Sequence, residues 1–324
     1  VSLTISEIPK FVFSKKIASA DEAIRAIINE LKGRTCGDIR PILRKTARIS
    51  SIHSTIAIEG NSLGPLKVKD VINGKPIDGP FDEITEAKNA IEAYRLIDKT
   101  DIMSVDCFLK IESIMMWGLV EENGFRDGKV VIAEGEKIIY EPPEAGEVAS
   151  MIEKMFEWCS SSGYPLHITS AVMHYYIEAI HPFRDGNGRM GRFWHSAMLR
   201  KESKLFRLLS IENAIRNRQQ DYYQVLERCQ TVSDCTEFIE FMLDIVLSSL
   251  RTLTHIMEPK MAAILMAIGS KTMSSSEIMS QLGLRDRGHF QKEYLRPALD
   301  YGFIEMTDPE SPRSPTQKYR RIIL

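Results

Sequence analysis

No apolar run in this 324-residue chain approaches the roughly 20 residues that a membrane-spanning helix needs; the longest is Met261 to Ile268. The first residues, VSLTISEIPKFVFSKK, lack the apolar core and cleavage site of a signal peptide. Cysteine is scarce: Cys36, Cys107, Cys159, Cys229 and Cys235 are an odd, scattered set without a Cys-x-x-Cys pair. Reduced thiols and a cytoplasmic location are the expectation. Charge of one sign is not in excess either. The 42 Lys and Arg face 44 Asp and Glu, a net of -2, so no global field draws the molecule to nucleic acid or membrane. Internal repeats and low-complexity segments are also lacking. What is left is an ordinary globular composition, 44% hydrophobic and 27% charged, long enough for about two or three domains.

The stretch that carries chemistry runs from His181 to Arg192 and reads HPFRDGNGRMGR. Before it, Ile168, Val172, Tyr175, Tyr176, Ala179 and Ile180 recur at the spacing of a buried helix. Pro182 disfavours helical geometry at His181, so the helix should stop there. Asp185, Gly186, Asn187 and Gly188 read as a tight turn, because Gly and Asn accept positive φ. A second helix restarts at once, with Met190, Phe193, Trp194, Ala197 and Met198 on its apolar face. Amides converging at a new helix N-terminus make an anion site, and Arg189 and Arg192 add two positive forks suited to phosphate oxygens. His181 and Asp185 stand on the rim as a base and a magnesium ligand. A mere buried turn would leave two arginines and an aspartate around one nest without a reason. His167, His174 and His181 are seven residues apart, a rise of about 10.5 Å on a helix. One zinc cannot bind all three, so His167 and His174 are read as packing or surface residues.

These twelve residues resemble the active-site motif of the Fic family, His-x-Phe-x-(Asp/Glu)-Gly-Asn-Gly-Arg-x-x-Arg. His181, Phe183, Asp185, Gly186, Asn187, Gly188, Arg189 and Arg192 match every defined position. The resemblance implies a mainly α fold, a Fic-type helical core with a β-hairpin flap. It also implies a protein adenylyltransferase moving AMP from ATP to a Ser, Thr or Tyr hydroxyl of a target protein, or of itself, with release of pyrophosphate. His181 would take the hydroxyl proton as a neutral imidazole, and Asp185 would hold Mg²⁺. The amides of Gly186, Asn187 and Gly188 and the Asn187 side chain would hold the α- and β-phosphates. Arg189 and Arg192 would bind the outer phosphates, with Met190 and Gly191 completing the nucleotide-binding stretch. Of the pair Tyr222-Tyr223, Tyr223 is carried over to the adenine pocket. Phe183 is read as an anchor in the core.

Upstream, the pattern is helical from Asp38 to Glu59, and Gly60-Asn61 stops it. Ile52, Ile56 and Glu59 share one face, where a carboxylate is either a solvated helix end or the partner of a cation. Thr55 to Gly60 resembles the family's inhibitory motif (Ser/Thr)-x-x-x-Glu-(Gly/Asn), placed N-terminal to the core. That implies that Glu59 pairs with Arg192 and blocks the γ-phosphate site. Between the two motifs, Val130-Val131-Ile132 and Ile138-Ile139-Tyr140 flank a turn over Ala133 to Lys137. The resemblance makes this hairpin a flap whose Val131, Ile132 and Ala133 would dock a target segment by strand addition. Further helices are expected over Asp21 to Leu31, with Asp21 as N-cap, and over about 82–98, 104–117, 145–160, 213–229 and 238–253. Residues 64–80 read as a surface connection.

From about residue 259 the pattern resembles a winged-helix domain. Helices are expected over Met261 to Ile268, from the Ser274-Ser275-Ser276 cap to Leu282-Gly283, and over Arg287 to Tyr301. Strands are expected over Phe303 to Met306 and Lys318 to Ile323. Arg285, Arg287, His289 and Lys292 lie near the start of the third helix. Residues 285–321 hold eight Lys and Arg against six Asp and Glu, a net of +2, which leaves DNA contact, protein docking and homodimer packing all open. The expected division is 1–63 for the inhibitory helical region, 64–253 for the catalytic core and 254–324 for the winged helix. Three alternatives stand beside AMP transfer. One is a relative that transfers another phosphate-containing group. Another is a transcription regulator whose core senses nucleotide, and the third is an interaction module silenced by Glu59.

Overall fold

The computed structural model describes residues 9–34, 39–134, 137–312 and 314–322. Cys36, the helix start at Asp38, the turn at Gly135 and the strand end at Ile323 lie outside them; Cys107, Cys159, Cys229 and Cys235 are free thiols. The first helix, α1 (Lys15–Lys32), starts earlier than its periodicity suggests. Its cap is Ser14, whose hydroxyl accepts from the Ile17 amide, and not Asp21. Asp21 lies inside the helix, paired with Arg25 and His167. Next, α2 (Ile39–Ile58) ends where expected. Gly60 takes a φ of 92°, and the Gly60 and Asn61 amides bond back to Ala57 and Ile56. The expected surface connection over 64–80 contains a helix, α3 (Pro65–Ile72), with Pro65 in its first turn. Only Val68 of this helix is buried, so it left no apolar period to read.

Two helices, α4 (Phe81–Leu96) and α5 (Val105–Met115), lead to an antiparallel hairpin of β1 (Ile132–Glu134) and β2 (Lys137–Tyr140). Its register pairs Ile132 with Tyr140 and Ala133 with Ile138, with an irregularity between Ile132 and Ala133. Then α6 (Ala145–Ser161) precedes the central pair, α7 (Leu166–Ile180) and α8 (Asn187–Glu202), which pack against each other. All residues of α7 from His167 to Ile180 are buried, so this helix has no solvent face. Helix α6 and the later α11 cover α7, α1 packs on α11, and α2 and α5 cover α8.

A 3-10 turn over Lys204–Leu208 is followed by α9 (Ile211–Arg216), α10 (Gln219–Val232) and α11 (Thr236–Ile256). The single helix expected over 213–229 is two. Ile211 and Ile215 pack toward α2 while Tyr222, Val225 and Leu226 turn toward α11, and one straight helix cannot serve both directions. The C-terminal unit has α12 (Pro259–Ile268), β3 (Thr272–Ser274) and α13 (Ser275–Gln281), then α14 (Arg287–Phe290), a π turn over Gln291–Leu295 and α15 (Arg296–Asp300), then β4 (Ile304–Met306) and β5 (Lys318–Arg321). The π turn sits just before Pro297, which has no N–H to give the preceding turn. The sheet order is β3-β5-β4, with Met273 and Met306 both opposite Tyr319. Three-residue β3 was too short to show a pattern. Among the described residues, no helix is long and apolar enough to cross a membrane.

A buried carboxylate ties four helices together. Glu212 on α9 is 1% exposed and accepts from Ser51 Oγ at 2.6 Å, Tyr94 OH at 2.9 Å and Ser196 Oγ at 2.6 Å. Glu212→Ala would take the carboxylate acceptor from three buried hydroxyls, of which Ser51 keeps Ser210 at 3.1 Å. It should cost about 3 kcal/mol in urea unfolding, and a loss below about 1 kcal/mol would contradict this role.

Candidate active site

Pro182 ends α7 as expected, yet His181 does not become extended. It takes φ 52° and ψ 59°, the left-handed region, which costs a residue with a Cβ about 1–2 kcal/mol. Buried Arg126 holds the corner. Its Nε donates to the His181 carbonyl at 2.8 Å, and its terminal nitrogens reach the carbonyls of Gly128 at 2.9 Å, Ile180 at 3.4 Å and Pro143. The Arg126 backbone N–H adds a bond to the Pro182 carbonyl at 2.9 Å. Burial pulls the guanidinium below its usual value, with Glu144 and Tyr140 opposing. A lone loop arginine has no sequence signature, so this residue was missed.

The turn itself is closed by Asn187. Its side-chain oxygen accepts from the Phe183 N–H and its amide donates to the Phe183 carbonyl, both at 2.9 Å. The Asn187 side chain is therefore spent on the loop, and only its backbone N–H remains for an anion. Phe183 is fully buried, its ring 5.2 Å from Phe108 and 6.0 Å from Phe125. Gly186 needs to be glycine twice over: φ is 84°, and a Cβ would lie 2.5 Å from Met116 Sδ. At Gly188 a Cβ would come 2.8 Å from Glu59 Oε1 and 2.9 Å from the Arg192 guanidinium. The Gly186 N–H is given to Asp185 Oδ1 at 2.6 Å, and the Met190 N–H to the Gly186 carbonyl at 2.9 Å. The Asn187, Gly188 and Arg189 amides come before that first helical bond and stay unpaired within α8. Met190 points into the core, and Gly191 packs so closely on His174 that a Cβ would lie 2.6 Å from its ring.

Both motif arginines are engaged by carboxylates. Arg192, 1% exposed, donates to Glu59 Oε1, to Thr55 Oγ1 at 3.2 Å and to the Thr55 carbonyl at 3.2 Å. Burial alone would lower its pKa; Glu59, with Tyr222 and Glu178 nearby, holds it above the ordinary value. Arg189 bridges Glu86 Oε1 at 2.6 Å and Asp185 Oδ2 at 2.9 Å. Glu86 and the Asn61 that supports it had no motif to announce them. The His181 ring is pushed down to about 4, chiefly by burial and also by Arg126, while the Glu178 carbonyl, Asp185 and Glu59 oppose.

Behind the arginines, Tyr222 OH donates to Glu178 Oε1 at 2.8 Å and lies 3.0 Å from His174 Nε2. Burial lifts the Glu178 carboxyl to about 7, with Arg192 and Tyr222 opposing. Tyr223 is 44% exposed, and its hydroxyl lies 3.5 Å from the Ile58 carbonyl, beside the end of the α2 segment. His167 is buried between Asp21 at 2.8 Å and Glu202 at 2.7 Å, and His174 is buried in the Tyr222 network. Both are packing residues. The hairpin carrying Val131, Ile132 and Ala133 joins the Arg126 loop on one side and Pro143 on the other, so one guanidinium anchors it and the His181 corner.

The sequence model of the Fic/DOC family matches residues 102–199, and that of the filamentation-induced-by-cAMP protein Fic-like C-terminal domain matches residues 259–321. Protein adenylyltransferase Fic of Aedes aegypti is 26% identical over 230 residues, which are 65% of this chain and 44% of the relative. Its namesake in Culex quinquefasciatus is 27% identical over the same shares. The chain thus spans less than half the length of these curated relatives. Fic-1 from C. elegans is alike in fold, with a TM-score of 0.60 at 19% identity over 74% of this chain and 73% of its own. A Fic family protein from Desulfovibrio desulfuricans G20 matches almost end to end, with 36% identity over 97% of this chain and 98% of its own and a TM-score of 0.73. With the motif, the corner and that full-length likeness together, this chain belongs to the Fic family.

Proposed function

We propose that the chain is a protein adenylyltransferase that moves AMP from ATP to a Ser, Thr or Tyr hydroxyl of a target protein or of itself, and that Glu59 restrains it. The observation that carries this reading is the Arg192–Glu59 pair lying over unpaired α8 amides, beside an imidazole kept neutral. The names of the curated relatives support the same activity. In this reading the Asn187, Gly188 and Arg189 amides receive the α- and β-phosphates, and Arg189 and Arg192 the outer ones. His181 takes the hydroxyl proton. The hydroxyl oxygen bonds to the α-phosphorus as the bond to the bridging oxygen breaks, and pyrophosphate leaves. Tyr223 borders the adenine, and the flap holds the target segment as an added strand.

Asp185 suits Mg²⁺. Its side chain is 60% exposed at the mouth of the nest, and among the described residues no three His, Cys, Asp or Glu converge as a metal cage. A hard ion held by one carboxylate, phosphate oxygens and water matches that donor set. When bound, it would neutralise charge on the phosphates. Asp185 would have to share the oxygen it now gives to Arg189.

A second reading, a winged-helix regulator whose core senses nucleotide, draws on one surface. Arg285, Arg287, His289, Lys292 and Arg296 are exposed, while Phe290, Leu295 and Ala298 face inward. The acids among them are committed: Glu293 to Lys260, and Asp286 to the His289 amide. This face would suit DNA phosphates, or equally an acidic patch on a second copy. Duplex binding that weakens steeply with salt would favour the regulator.

Glu59→Gly should raise labelled-AMP incorporation from ATP into lysate proteins or the chain itself by about a hundredfold, because outer phosphates displaced by about 1 Å misalign the α-phosphate. The gain should vanish in the Glu59→Gly, His181→Ala double variant while ATP binding persists. No gain would return Glu59 to an ordinary helix-end carboxylate. The His181 ring, followed by NMR in the ligand-free protein, should stay neutral from pH 8 down to about 5 and protonate near pH 4. Titration near 6.5 would contradict the buried neutral base.

A further inference from the structure

Arg189 stands between two carboxylates, and only one belongs to the motif. The partner from outside is Glu86 on α4, a side chain only 12% exposed, against 5% for Arg189 and 60% for Asp185. Glu86 is itself fixed. Its Oε2 accepts from Asn61 Nδ2 at 2.8 Å, and the same Nδ2 donates to the Glu83 carbonyl at 3.0 Å. Asn61 is set in turn by the stop of α2, where its N–H bonds to the Ile56 carbonyl at 3.2 Å. A continuous polar path thus runs from the end of α2 through Asn61, Glu86 and Arg189 to Asp185.

The Arg189 fork is planar and rigid, so where one terminal nitrogen is held decides what the other reaches. Glu86 takes one nitrogen at 2.6 Å and leaves Asp185 a single contact at 2.9 Å. We infer that Glu86 is a positioning residue. By neutralising part of the Arg189 charge and fixing its plane, it keeps Asp185 open to Mg²⁺. The inference rests on the nucleotide and magnesium reading above. Without the Glu86 charge, Asp185 is the one carboxylate still hydrogen-bonded to Arg189 among the described residues. A freed fork would close on both its oxygens. Mg²⁺ would then compete with an uncompensated guanidinium for its only protein ligand. The path also gives α2 two separate holds on the phosphate cradle, Glu59 on Arg192 and Asn61, through Glu86, on Arg189.

ADP is the suitable probe, because it lacks the γ-phosphate and leaves the Glu59–Arg192 pair in place. Calorimetry would measure ADP affinity with and without Mg²⁺ in the parent protein, in Glu86→Gln and in Asn61→Ala, with thermal melting to confirm that each is folded. Glu86→Gln should lower the strengthening of ADP binding by Mg²⁺ about tenfold while metal-free affinity stays within about twofold. Asn61→Ala, which loosens Glu86 without removing a charge, should shift the same quantity in the same direction by less. Unchanged strengthening in Glu86→Gln, or an equal loss with and without metal, overturns the inference and leaves Glu86 a packing residue. A parent protein that does not bind ADP, or binds it equally without Mg²⁺, overturns the reading of the site itself and this inference with it.

Discussion

Everything chemical in this protein depends on one sharp corner between two buried helices. Its cost is a residue with a Cβ in left-handed backbone at His181. The compensation comes from Arg126, whose guanidinium gathers the Ile180 and His181 carbonyls with those of Gly128 and Pro143, and whose backbone N–H donates to the Pro182 carbonyl. Asn187 locks the next turn by pairing with both backbone groups of Phe183, and the Phe183 ring seats that turn among buried aromatics. The histidine, the nest and the start of α8 thus sit on a rigid base, with strain stored at one residue and repaid by hydrogen bonds around it.

Around that corner the charges are paired within the protein itself. Arg192 meets Glu59, and Arg189 meets Glu86 and Asp185. A buried arginine without a partner would be costly, so these carboxylates stabilise the two guanidiniums where they lie. Glu59, Asn61 and Glu86 all come from the stretch that runs from the end of α2 into α4, which makes that stretch the counter-charge of the two motif arginines. The two acids differ in their setting: Glu59 follows the last turn of α2, whereas Glu86 lies inside α4.

Much of this was legible in the chain. Long, periodic helices such as α2 and α11 were read with small errors at their ends, because one-sided burial along a helix writes its period into the sequence. The left-handed φ at Gly186 and the closeness of Glu59 to Arg192 followed from the motifs. What escaped had little local signal. Helix α3 buries one residue, β3 has three, and the break between α9 and α10 answers to two different neighbours rather than to its own residues. Asp21 looked like an N-cap because its periodic stretch begins there, whereas it faces His167 across the core.

The amino-acid order alone determined the elements and the chemistry on offer: a proline to stop a helix, glycines where backbone must turn or approach closely, a histidine, an acid and two arginines within twelve residues. Those are local properties, set by sterics and by the period of a helix. Partners were decided only by the tertiary structure. Arg126 found the His181 carbonyl 55 residues away, and Glu86 met Arg189 across 103 residues. Packing also turned the Asn187 side chain inward to Phe183 and half-buried the imidazole of His181, which favours its neutral form. Hydrogen bonds between distant segments and the desolvation of a side chain depend on the whole fold, and no window of sequence contains them.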